Sequence, residues 1–418
     1  MFFKIYSLLL IFFFPLILLF FLIRLFFSKE TTQSFLEKFS FSKKSRPIGD
    51  LIWINGVSIG EAKSGLTLAK EFLVNKPKCN ILLSTSTISA YKEIAKQNEK
   101  IILIYLPIDF GFLIKRFITH WKPNLTVFME SEIWPNIINE LSKNKLRFTI
   151  VNGRMSDKSF FWWKTFSFFT KSLFHKVNSC ITQDEISKNR FKKLGVKNVE
   201  YGSNIKFLSN KLIFKSKSLS LLKNKLKKRT IITFFSVHKN EESVLIDCFQ
   251  LLNKSFESLL FVIIPRHLEN TNGIRKNLEN KNISFGIRSL KQNLVNKHKF
   301  YIADTFGELG LFFALSKVSI VGGSFSDKGG HNPIETSHFK CAVIFGPNMK
   351  NFKEIKDKIL QTNSGFQVNN STQLAEKINL LLRNRSLIKK TVNNFKNLRI
   401  KESRKVKILV KKECGKIL

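Results

Sequence analysis

Residues 51–73 read LIWINGVSIGEAKSGLTLAKEFL, in which a short apolar run is followed by a turn and then by an amphipathic segment. The run Leu51–Ile54 is continuous and apolar, which is typical of a strand that is buried on both faces of a parallel sheet. Glu61–Leu73 has the apolar spacing of a helix. Because a strand followed by a helix is the repeating unit of parallel sheets, this stretch predicts α/β architecture.

The same alternation occurs in two series along the 418 residues. The apolar runs of the first series are Leu51–Ile54, Ile81–Leu83, Ile101–Leu106, Leu125–Met129 and Phe148–Val151. Those of the second are Ile231–Phe235, Leu259–Ile264, Phe300–Ala303, Val318–Val321 and Ala342–Phe345. Two series, in a chain too long for one ordinary core, predict two doubly wound domains.

The predicted organisation has four parts. We expect a membrane anchor over residues 1–28, a first Rossmann-like domain over 45–206, a second over 230–385 and a helical tail over 386–418. The segment Phe207–Arg229 is strongly basic without a strand pattern, so it is interpreted as the linker between the domains. Ligands of such sheets bind at the carboxyl ends of the strands, so two domains that face each other should share a cleft there.

The N-terminal segment predicts a single-pass anchor. Ile5–Ile23 contains no charged residue, and a helix of this length reaches about 28 Å, close to the thickness of a bilayer core. A cleavable signal peptide is the alternative, but it usually has a shorter apolar region and a small-residue cleavage site. Basic residues are more frequent after the segment, at Arg24 and Lys29 among others, than before it, so the positive-inside rule places the rest of the chain in the cytoplasm.

The composition is strongly basic. Lys and Arg number 70 against 30 Asp and Glu, a formal net charge of +40, which favours an anionic partner: nucleic acid, acidic lipid or a phosphorylated substrate. The abundance of Phe, Ile, Lys and Asn offers a second explanation, a genome rich in A and T. The basic residues are spread along the chain, which argues against a nucleic-acid-binding tail. The five cysteines are far apart and contain no Cys-x-x-Cys pair, so neither a zinc knuckle nor a disulfide framework is predicted.

Acidic residues follow two strands of the first series. Glu61 stands at the start of a helix, where its carboxylate could accept a proton from an acceptor hydroxyl as a general base. The alternative is that Ser58 caps the helix and Glu61 only complements its dipole. Glu130 and Glu132 follow the strand that ends at Met129, and the alternative there is a solvated acidic loop. Arg154, after the next strand, suits a carboxylate or phosphate.

The second series carries groups suited to a nucleotide. Arg266 follows a strand and could hold a phosphate with two hydrogen bonds. Asp304–Leu309 opens a helix whose free N–H groups suit an anion. Paired glycines at 322–323 and 329–330 permit a close approach of the backbone, and Glu335 could accept hydrogen bonds from ribose hydroxyls. A turn-rich loop with a well-capped helix is the alternative.

A metal site is not predicted. No two aspartates are separated by a single residue, and the seven histidines form no His-x-x-x-His pair. The negative charge of a leaving phosphate would then be stabilised by Arg, Lys and helix N-termini.

These motifs together resemble the Kdo (3-deoxy-D-manno-octulosonic acid) transferases of bacteria that have an outer membrane. The resemblance rests on the anchor, on Val57–Glu61, Glu130–Asn136, Asn152–Ser156, Asn204–Phe207, Ser236–His238 and Pro265–His267, and on nearly all of Asp304–Phe352. It implies the two-domain GT-B fold and inverting transfer of Kdo from CMP-Kdo to lipid IV-A, without metal or cofactor. It also implies an inner-membrane enzyme whose partners are CMP-Kdo, lipid IV-A and an anionic lipid surface, not nucleic acid.

By this resemblance Glu61 is the proton acceptor. The residues implied to bind the CMP donor are Pro265, Arg266, Phe306, Gly307, Glu308, Asn332, Pro333, Ile334 and Glu335. The chain departs from the family pattern at Asn55-Gly56, at Lys239 and at Leu268-Glu269-Asn270, which puts fine specificity in doubt more than activity.

Two other functions remain open from the sequence. Another GT-B enzyme acting on an envelope lipid would share the fold but should lack the complete Gly322–Glu335 motif. A membrane-tethered nucleic-acid-binding protein would bind DNA with a steep salt dependence and would turn over no sugar donor.

Overall fold

The computed structural model describes residues 2–97, 101–226, 229–253, 255–290 and 297–416. The chain divides into two compact units. Unit 1 comprises Met1–Leu208 and Glu402–Leu418, and unit 2 comprises Ser209–Lys401. The predicted helical tail lies in one long helix that begins in unit 2 and ends in unit 1.

Unit 1 is built on a parallel sheet of seven strands in the order β3-β2-β1-β4-β5-β6-β7. The strands are β1 Leu51–Asn55, β2 Asn80–Thr85, β3 Ile102–Tyr105, β4 Leu125–Met129, β5 Arg147–Gly153, β6 Ser179–Thr182 and β7 Val199–Tyr201. The helices are α1 Phe2–Phe26, α2 Thr32–Lys38, α3 Ile59–Asn75, α4 Ile88–Ala95, α5 Gly111–Trp121, α6 Pro135–Lys143, α7 Asp157–Thr165, α8 Ser167–Phe174 and α9 Glu185–Leu194.

The strands of unit 1 are buried on both faces because successive side chains of a strand point to opposite sides of the sheet. Trp53 and Phe128 belong to the core on one face, and Ile54 and Val127 belong to the core on the other. This two-sided burial explains why β1 and β4 are continuous apolar runs and not alternating ones.

Unit 2 repeats the architecture with a parallel sheet in the order β10-β11-β9-β8-β12-β13-β14. Its strands are β8 Thr230–Val237, β9 Leu259–Pro265, β10 Phe285–Ile287, β11 Phe300–Ile302, β12 Val318–Val321, β13 Ala342–Phe345 and β14 Phe366–Gln367. Its helices are α10 Ser216–Lys225, α11 Glu242–Leu252, α12 Thr271–Asn280, α13 Leu309–Leu315, α14 Lys353–Gln361 and α15 Ser371–Arg383, followed by α16 Arg385–Cys414.

The two parallel sheets confirm the predicted fold class. Sequence reasoning missed four strands, β6, β7, β10 and β14, which are short or partly polar. The segment interpreted as a linker contains helix α10, and its residues 227–228 lie outside the described part of the chain.

Helix α1 packs one face against the protein and has exposed apolar side chains on the other. Its segment Ile5–Phe26, with a mean hydropathy of 2.9, is the one helix in the described ranges that is long and apolar enough to cross a membrane. On the protein side, Phe14 packs against Phe110 with 5.1 Å between ring centroids, and the Tyr6 hydroxyl donates to Asp109 Oδ2 at 3.0 Å. On the other side, large apolar side chains such as Phe12 are exposed. These features are compatible with the predicted anchor.

Candidate functional site

Glu61 lies in the first turn of α3, directly after the carboxyl end of β1. Its Oε2 accepts hydrogen bonds from the backbone N–H groups of Val57 at 2.8 Å and Ser58 at 3.0 Å. Ser58 Oγ in turn accepts from the Glu61 N–H at 3.3 Å, which completes a capping box. The capping role considered from the sequence is therefore present. Glu61 Oε1 accepts no hydrogen bond from the residues that the structure describes.

Gly56 allows α3 to start this close to β1. A Cβ atom at Gly56 would lie 2.6 Å from the carbonyl carbon of Glu61, which is closer than real Cβ contacts. The Asn55-Gly56 pair that departs from the family pattern is thus part of the geometry that places Glu61. The neighbouring Asn55 is buried, and its Oδ1 accepts a hydrogen bond from Ser84 Oγ at 2.8 Å.

The ends of β4 and β5 have unusual backbone conformations. Glu130, after β4, has a φ of 58°, and Asn152, near the end of β5, has a φ of 59°. Both lie in the left-handed region, where a residue other than glycine is strained and which is often found at functional sites. The strain is held by hydrogen bonds: Glu130 N–H donates to Val151 O at 3.0 Å, and Asn152 Oδ1 accepts from Ile205 N–H at 3.0 Å.

Glu61, Glu130 and Glu132 form an acidic cluster at this edge of the sheet. Burial raises the pKa of Glu130, Lys206 opposes the increase, and the charge of Glu61 adds to it. Burial, with the charges of Glu61 and Glu130, raises the pKa of Glu132 to about 7 although Trp134 Nε1 donates to its Oε2 at 2.9 Å. Burial lowers the pKa of Lys206. Glu132 can therefore hold a proton near neutral pH.

In unit 2, Arg266 and three histidines follow the carboxyl ends of neighbouring strands. Arg266 comes directly after β9, its backbone N–H donates to Val237 O at 2.8 Å, and its side chain is exposed. His238 Nε2 and His331 Nε2 are 2.8 Å apart, and the rings of His238 and His267 are 5.9 Å apart. We call His238, His267 and His331 the histidine cluster. The motifs were visible in the sequence, but their proximity was not.

Burial keeps two members of the histidine cluster neutral. It lowers the pKa of His331 to about 4, assisted by the positive charge of Arg266, and it also lowers the pKa of His238. Because the two Nε2 atoms share one hydrogen bond, one ring donates and the other accepts. The guanidinium of Arg266 therefore lies beside imidazoles that are uncharged at neutral pH, and it is left to interact with an anion.

Glu241 organises the glycine-rich loop after β12, and sequence reasoning missed it. Its buried carboxylate accepts hydrogen bonds from Gly323 N–H at 2.7 Å and Phe325 N–H at 3.0 Å, and from Ser326 Oγ at 3.2 Å. It also accepts from His238 N–H at 2.9 Å, so one side chain joins the ends of β8 and β12. The available signal was an acidic residue three positions after His238.

Gly322 brings these two strand ends together. A Cβ atom at Gly322 would lie 2.3 Å from Ser236 O, so no residue with a side chain fits there without movement of the backbone. This close approach is between two strand ends of the protein, whereas the approach to a phosphate or sugar expected from the paired glycines stays a prediction. Ser236, on the other side of the contact, has a φ of 56°.

The other residues implied to bind the donor are all in unit 2. Pro265 is the last residue of β9, and Asn332 caps the 3-10 helix Pro333–His338 by accepting from Ile334 N–H at 3.2 Å. Pro333 and Ile334 are buried, so their side chains pack in the core, while Asn332 Nδ2 is 3.5 Å from Glu335 Oε1.

The segment after β11 contains an exposed ring and an ion pair. Phe306 is 83% exposed, and Gly307 has a φ of 80°. Glu308 accepts hydrogen bonds from Arg288 Nη2 at 2.7 Å and Nε at 3.0 Å. Burial alone would raise the pKa of Glu308, but the hydrogen bonds from Arg288 and Thr305 outweigh burial and hold this pKa below its usual range. Glu308 therefore fixes the loop through Arg288, which the sequence did not reveal.

Comparisons with known proteins give similar proteins that are named as 3-deoxy-D-manno-octulosonic acid transferases. The family model described as 3-deoxy-D-manno-octulosonic-acid transferase (kdotransferase) matches residues 33–209. The chain is 34% identical to the 3-deoxy-D-manno-octulosonic acid transferase of Rickettsia bellii, over 88% of each chain. It is 29% identical to the enzyme of the same name from Haemophilus influenzae, over 82% of each chain.

The fold also has a close match among solved structures. A glycosyltransferase from Rickettsia africae aligns with a TM-score of 0.59 and 15% identity, covering 89% of this chain and 99% of that one. At this identity the likeness supports the GT-B fold alone. The sequence matches, at 34% identity over 88% of both chains for the Rickettsia bellii protein, show that this chain belongs to the Kdo transferase family of glycosyltransferases.

Proposed function

We propose that this chain transfers Kdo from CMP-Kdo to lipid IV-A in lipopolysaccharide biosynthesis, with inversion at the anomeric carbon and without a metal ion. The observation that carries the proposal is the identity of 34% to a named Kdo transferase over 88% of both chains. The presence of Glu61 at the end of β1, next to two further carboxylates, supports it.

Glu61 acts as the general base in this proposal. Its Oε2 is held by two backbone N–H groups, which fixes the carboxylate and leaves Oε1 for the acceptor hydroxyl. As the proton moves to Oε1, the hydroxyl oxygen forms a bond to the anomeric carbon of Kdo. The bond from that carbon to the phosphate oxygen breaks, and CMP leaves with the electron pair.

Unit 2 binds the donor. Arg266 donates hydrogen bonds to the phosphate of CMP-Kdo, and its charge stabilises the leaving group as negative charge develops on it. Asn332 and Glu335 bind ribose hydroxyls, and Phe306, Gly307 and Glu308 line the nucleotide. The exposed Arg266 side chain beside neutral imidazoles supports its assignment to the phosphate.

The proposal places the enzyme on the inner membrane with both units on the cytoplasmic side. The sequence predicts that α1 provides the attachment as a single pass, and the excess of basic residues after it supports the cytoplasmic side. Basic residues near an anionic bilayer contribute about 1 kcal/mol each to attachment, so the charge of the chain favours a lipid surface as partner.

Mass spectrometry of the lipid product tests the proposal directly. Purified full-length chain with CMP-Kdo and lipid IV-A should add Kdo to the lipid, and UDP-sugars should give no product. Transfer from a UDP-sugar instead would identify another GT-B transferase, and salt-dependent DNA binding without donor turnover would contradict the enzymatic assignment.

A further inference from the structure

A cavity of about 430 Å³ lies in unit 1 at the C-terminal end of α1. One wall is formed by the last turns of α1, including Phe20, Phe21 and Arg24. The second comes from the segment that leads into α2 and from α2 itself, and the third is the segment of residues 86–89, which consists of the two residues after β2 and the first two residues of α4. We call this space the α1 cavity. None of the site residues described above lines it.

The α1 cavity has an excess of positive charge. Arg24, Lys29 and Lys38 line it together with one carboxylate, Glu30, so three positive charges and one negative charge leave a net charge of +2. Lys38 Nζ donates to Glu30 Oε1 at 2.8 Å, and Arg24 Nε donates to the same oxygen at 3.3 Å. Because Glu30 also accepts from Ser34 Oγ at 2.6 Å, its carboxylate is already shared by several donors. The cavity is therefore suited to an anion that carries two negative charges.

The loop side of the cavity adds neutral hydrogen-bond donors. Helix α4 begins at Ile88, and Thr87 Oγ1 accepts from Ala90 N–H at 3.2 Å as its N-cap. The other N–H groups of a first helical turn have no partner within the helix and carry partial positive charge. The hydroxyl groups of Ser86 and Ser89 line the same wall. Basic side chains, hydroxyls and helix N–H groups together are the donors that phosphate groups prefer.

The remaining wall is apolar and belongs to the membrane helix. Phe20 is 54% exposed, and the guanidinium of Arg24 lies 5.5 Å from the centre of its ring. Basic residues at the end of a membrane helix mark the level of the lipid head groups. The α1 cavity thus has an apolar wall on the side of the acyl chains and a cationic wall at the depth where lipid phosphates occur.

The cavity is also linked to the segment that holds Glu61. The segment 86–89 follows β2, and β2 pairs in parallel with β1, so the segments after both strands lie at the same edge of the sheet. Thr85 Oγ1 donates to Val57 O at 3.1 Å. The end of β2 is thereby joined to Val57, the residue whose backbone N–H donates to Glu61. A ligand in the cavity would therefore lie beside the loop that positions the proposed base.

We propose that the α1 cavity binds a phosphate monoester on the sugar head group of the membrane lipid that accepts Kdo. In this proposal Lys29 and Arg24 supply positive charge, and the segment 86–89 supplies N–H and hydroxyl donors. Phe20 contacts the first part of an acyl chain. The proposal rests on the proposed function, because it assigns the site to the acceptor of that reaction.

Binding in the absence of CMP-Kdo tests the cavity separately from the reaction. A Lys92→Cys variant of the full chain can be labelled with a fluorophore, since Lys92 is exposed on α4 without lining the cavity and the five native cysteines are all buried. It is titrated with micelles of a phosphorylated acylated disaccharide, with the same lipid after removal of its phosphates, and with inorganic phosphate. We expect a fluorescence change with the phosphorylated lipid alone.

Lys29→Ala should weaken this binding about tenfold, as expected from the loss of one hydrogen bond between charged groups. Lys193→Ala, which removes an exposed lysine of α9 in the same unit, is the matched control and should leave binding unchanged. Equal binding of both lipids would overturn the proposal. Competition by inorganic phosphate at the same concentration as the lipid would show a general anion site and would also overturn it.

Steady-state kinetics then connects the cavity to transfer. With the phosphorylated acceptor, Lys29→Ala should raise KM for the lipid about tenfold and leave kcat and the KM for CMP-Kdo unchanged. With the dephosphorylated acceptor, the variant and the parent should behave alike, because the contact is already absent.

The two proposals fail in different ways. An equal effect of Lys29→Ala on both acceptors would assign Lys29 a structural role and reject the cavity as a phosphate site. Phosphate-dependent binding without Kdo transfer to any acceptor would reject the proposed function and retain the site.

Discussion

Unit 1 and unit 2 have the same scaffold, a parallel sheet of seven strands, but the side chains that follow their strands have opposite character. In unit 1 the strands lead into the acidic cluster of Glu61, Glu130 and Glu132. In unit 2 they lead into Arg266 and the histidine cluster. The shared fold therefore does not determine which ligand is bound. A few residues at the carboxyl ends of the strands decide what each unit can bind.

Burial shifts the pKa values of the two clusters in opposite directions. It raises the pKa of Glu132 to about 7, so that this carboxyl binds a proton more tightly, and it lowers the pKa of His331 to about 4, so that this imidazole loses one. The physical cause is the same, because a low dielectric disfavours the charged form of any group. The acidic cluster thus contains a carboxyl group that is partly protonated at neutral pH, and the histidine cluster contains an imidazole that is uncharged there.

The largest expected effect comes from removing the proposed base of unit 1. Glu61→Gln should lower kcat for Kdo transfer by about 10²- to 10⁴-fold, the usual contribution of general base catalysis, since an amide cannot take up the proton. Binding of CMP, measured by calorimetry, should not change. Glu71→Gln, on the same helix but paired with Lys407, is the control. A near-normal kcat for Glu61→Gln would exclude it as the base.

The corresponding substitution in unit 2, at Arg266, should weaken the binding of the sugar donor. Arg266→Ala removes the hydrogen bonds assigned to the phosphate and should raise the KM for CMP-Kdo about 10- to 100-fold. Initial-rate kinetics with varied CMP-Kdo measures this effect. Arg275→Ala, which removes an exposed arginine of α12 that pairs with Glu279, should leave the KM unchanged. An altered KM for the lipid instead would contradict the division of roles between the units.

A smaller effect is expected from the residue that shapes the glycine-rich loop. Glu241→Gln replaces an acceptor of four hydrogen bonds with an amide that brings two donors of its own toward backbone N–H groups. It should lower the free energy of unfolding by about 2 kcal/mol and weaken CMP binding. Denaturant unfolding and calorimetry measure both. Unchanged stability would show that the loop does not depend on this carboxylate.

The smallest expected effect is a change in the pH dependence of stability. The pKa of Glu132 rises from 4.5 to about 7 in the folded chain, so the folded state binds this proton more tightly than the unfolded state does. Its contribution to stability is fully present below pH 4.5 and is lost as the pH rises toward 7. Glu132→Gln removes this loss, so the variant should gain stability relative to the parent between pH 5 and pH 8 in denaturant titrations. Parallel pH profiles would contradict the assigned pKa.

The sequence predicted the parts of the fold that depend on local pattern. Long apolar runs such as β1 and β4 are buried on both faces and are visible without any tertiary information. Strand β14, which is only Phe366–Gln367, forms because it pairs with β13, and nothing in two residues indicates a strand. Elements of this kind depend on their neighbours for their structure.

The site was predictable to a similar extent. Glu61 was a candidate from its place after a strand and from the family resemblance, and the capping role weighed as the alternative is present in the structure, while its role as a base stays a prediction. Glu241 was missed because its importance comes from donors that lie about 80 residues away in the sequence, at Gly323 and Phe325. Hydrogen bonds of this range cannot be read from spacing.

The attachment of α1 has a consequence for how the enzyme meets its acceptor. Tyr6 near one end of the helix donates to Asp109, and Arg24 near the other donates to Glu30, so the helix is fastened to unit 1 at two points about 27 Å apart along its axis. An anchor helix joined through a flexible linker would allow the rest of unit 1 to change its orientation relative to that helix. The two hydrogen bonds instead fix the orientation of α1 relative to unit 1. Under the proposed function, the orientation of α1 in the membrane therefore determines the orientation of the sheet edge that bears Glu61, and it sets the distance from the bilayer at which a lipid head group can reach this edge.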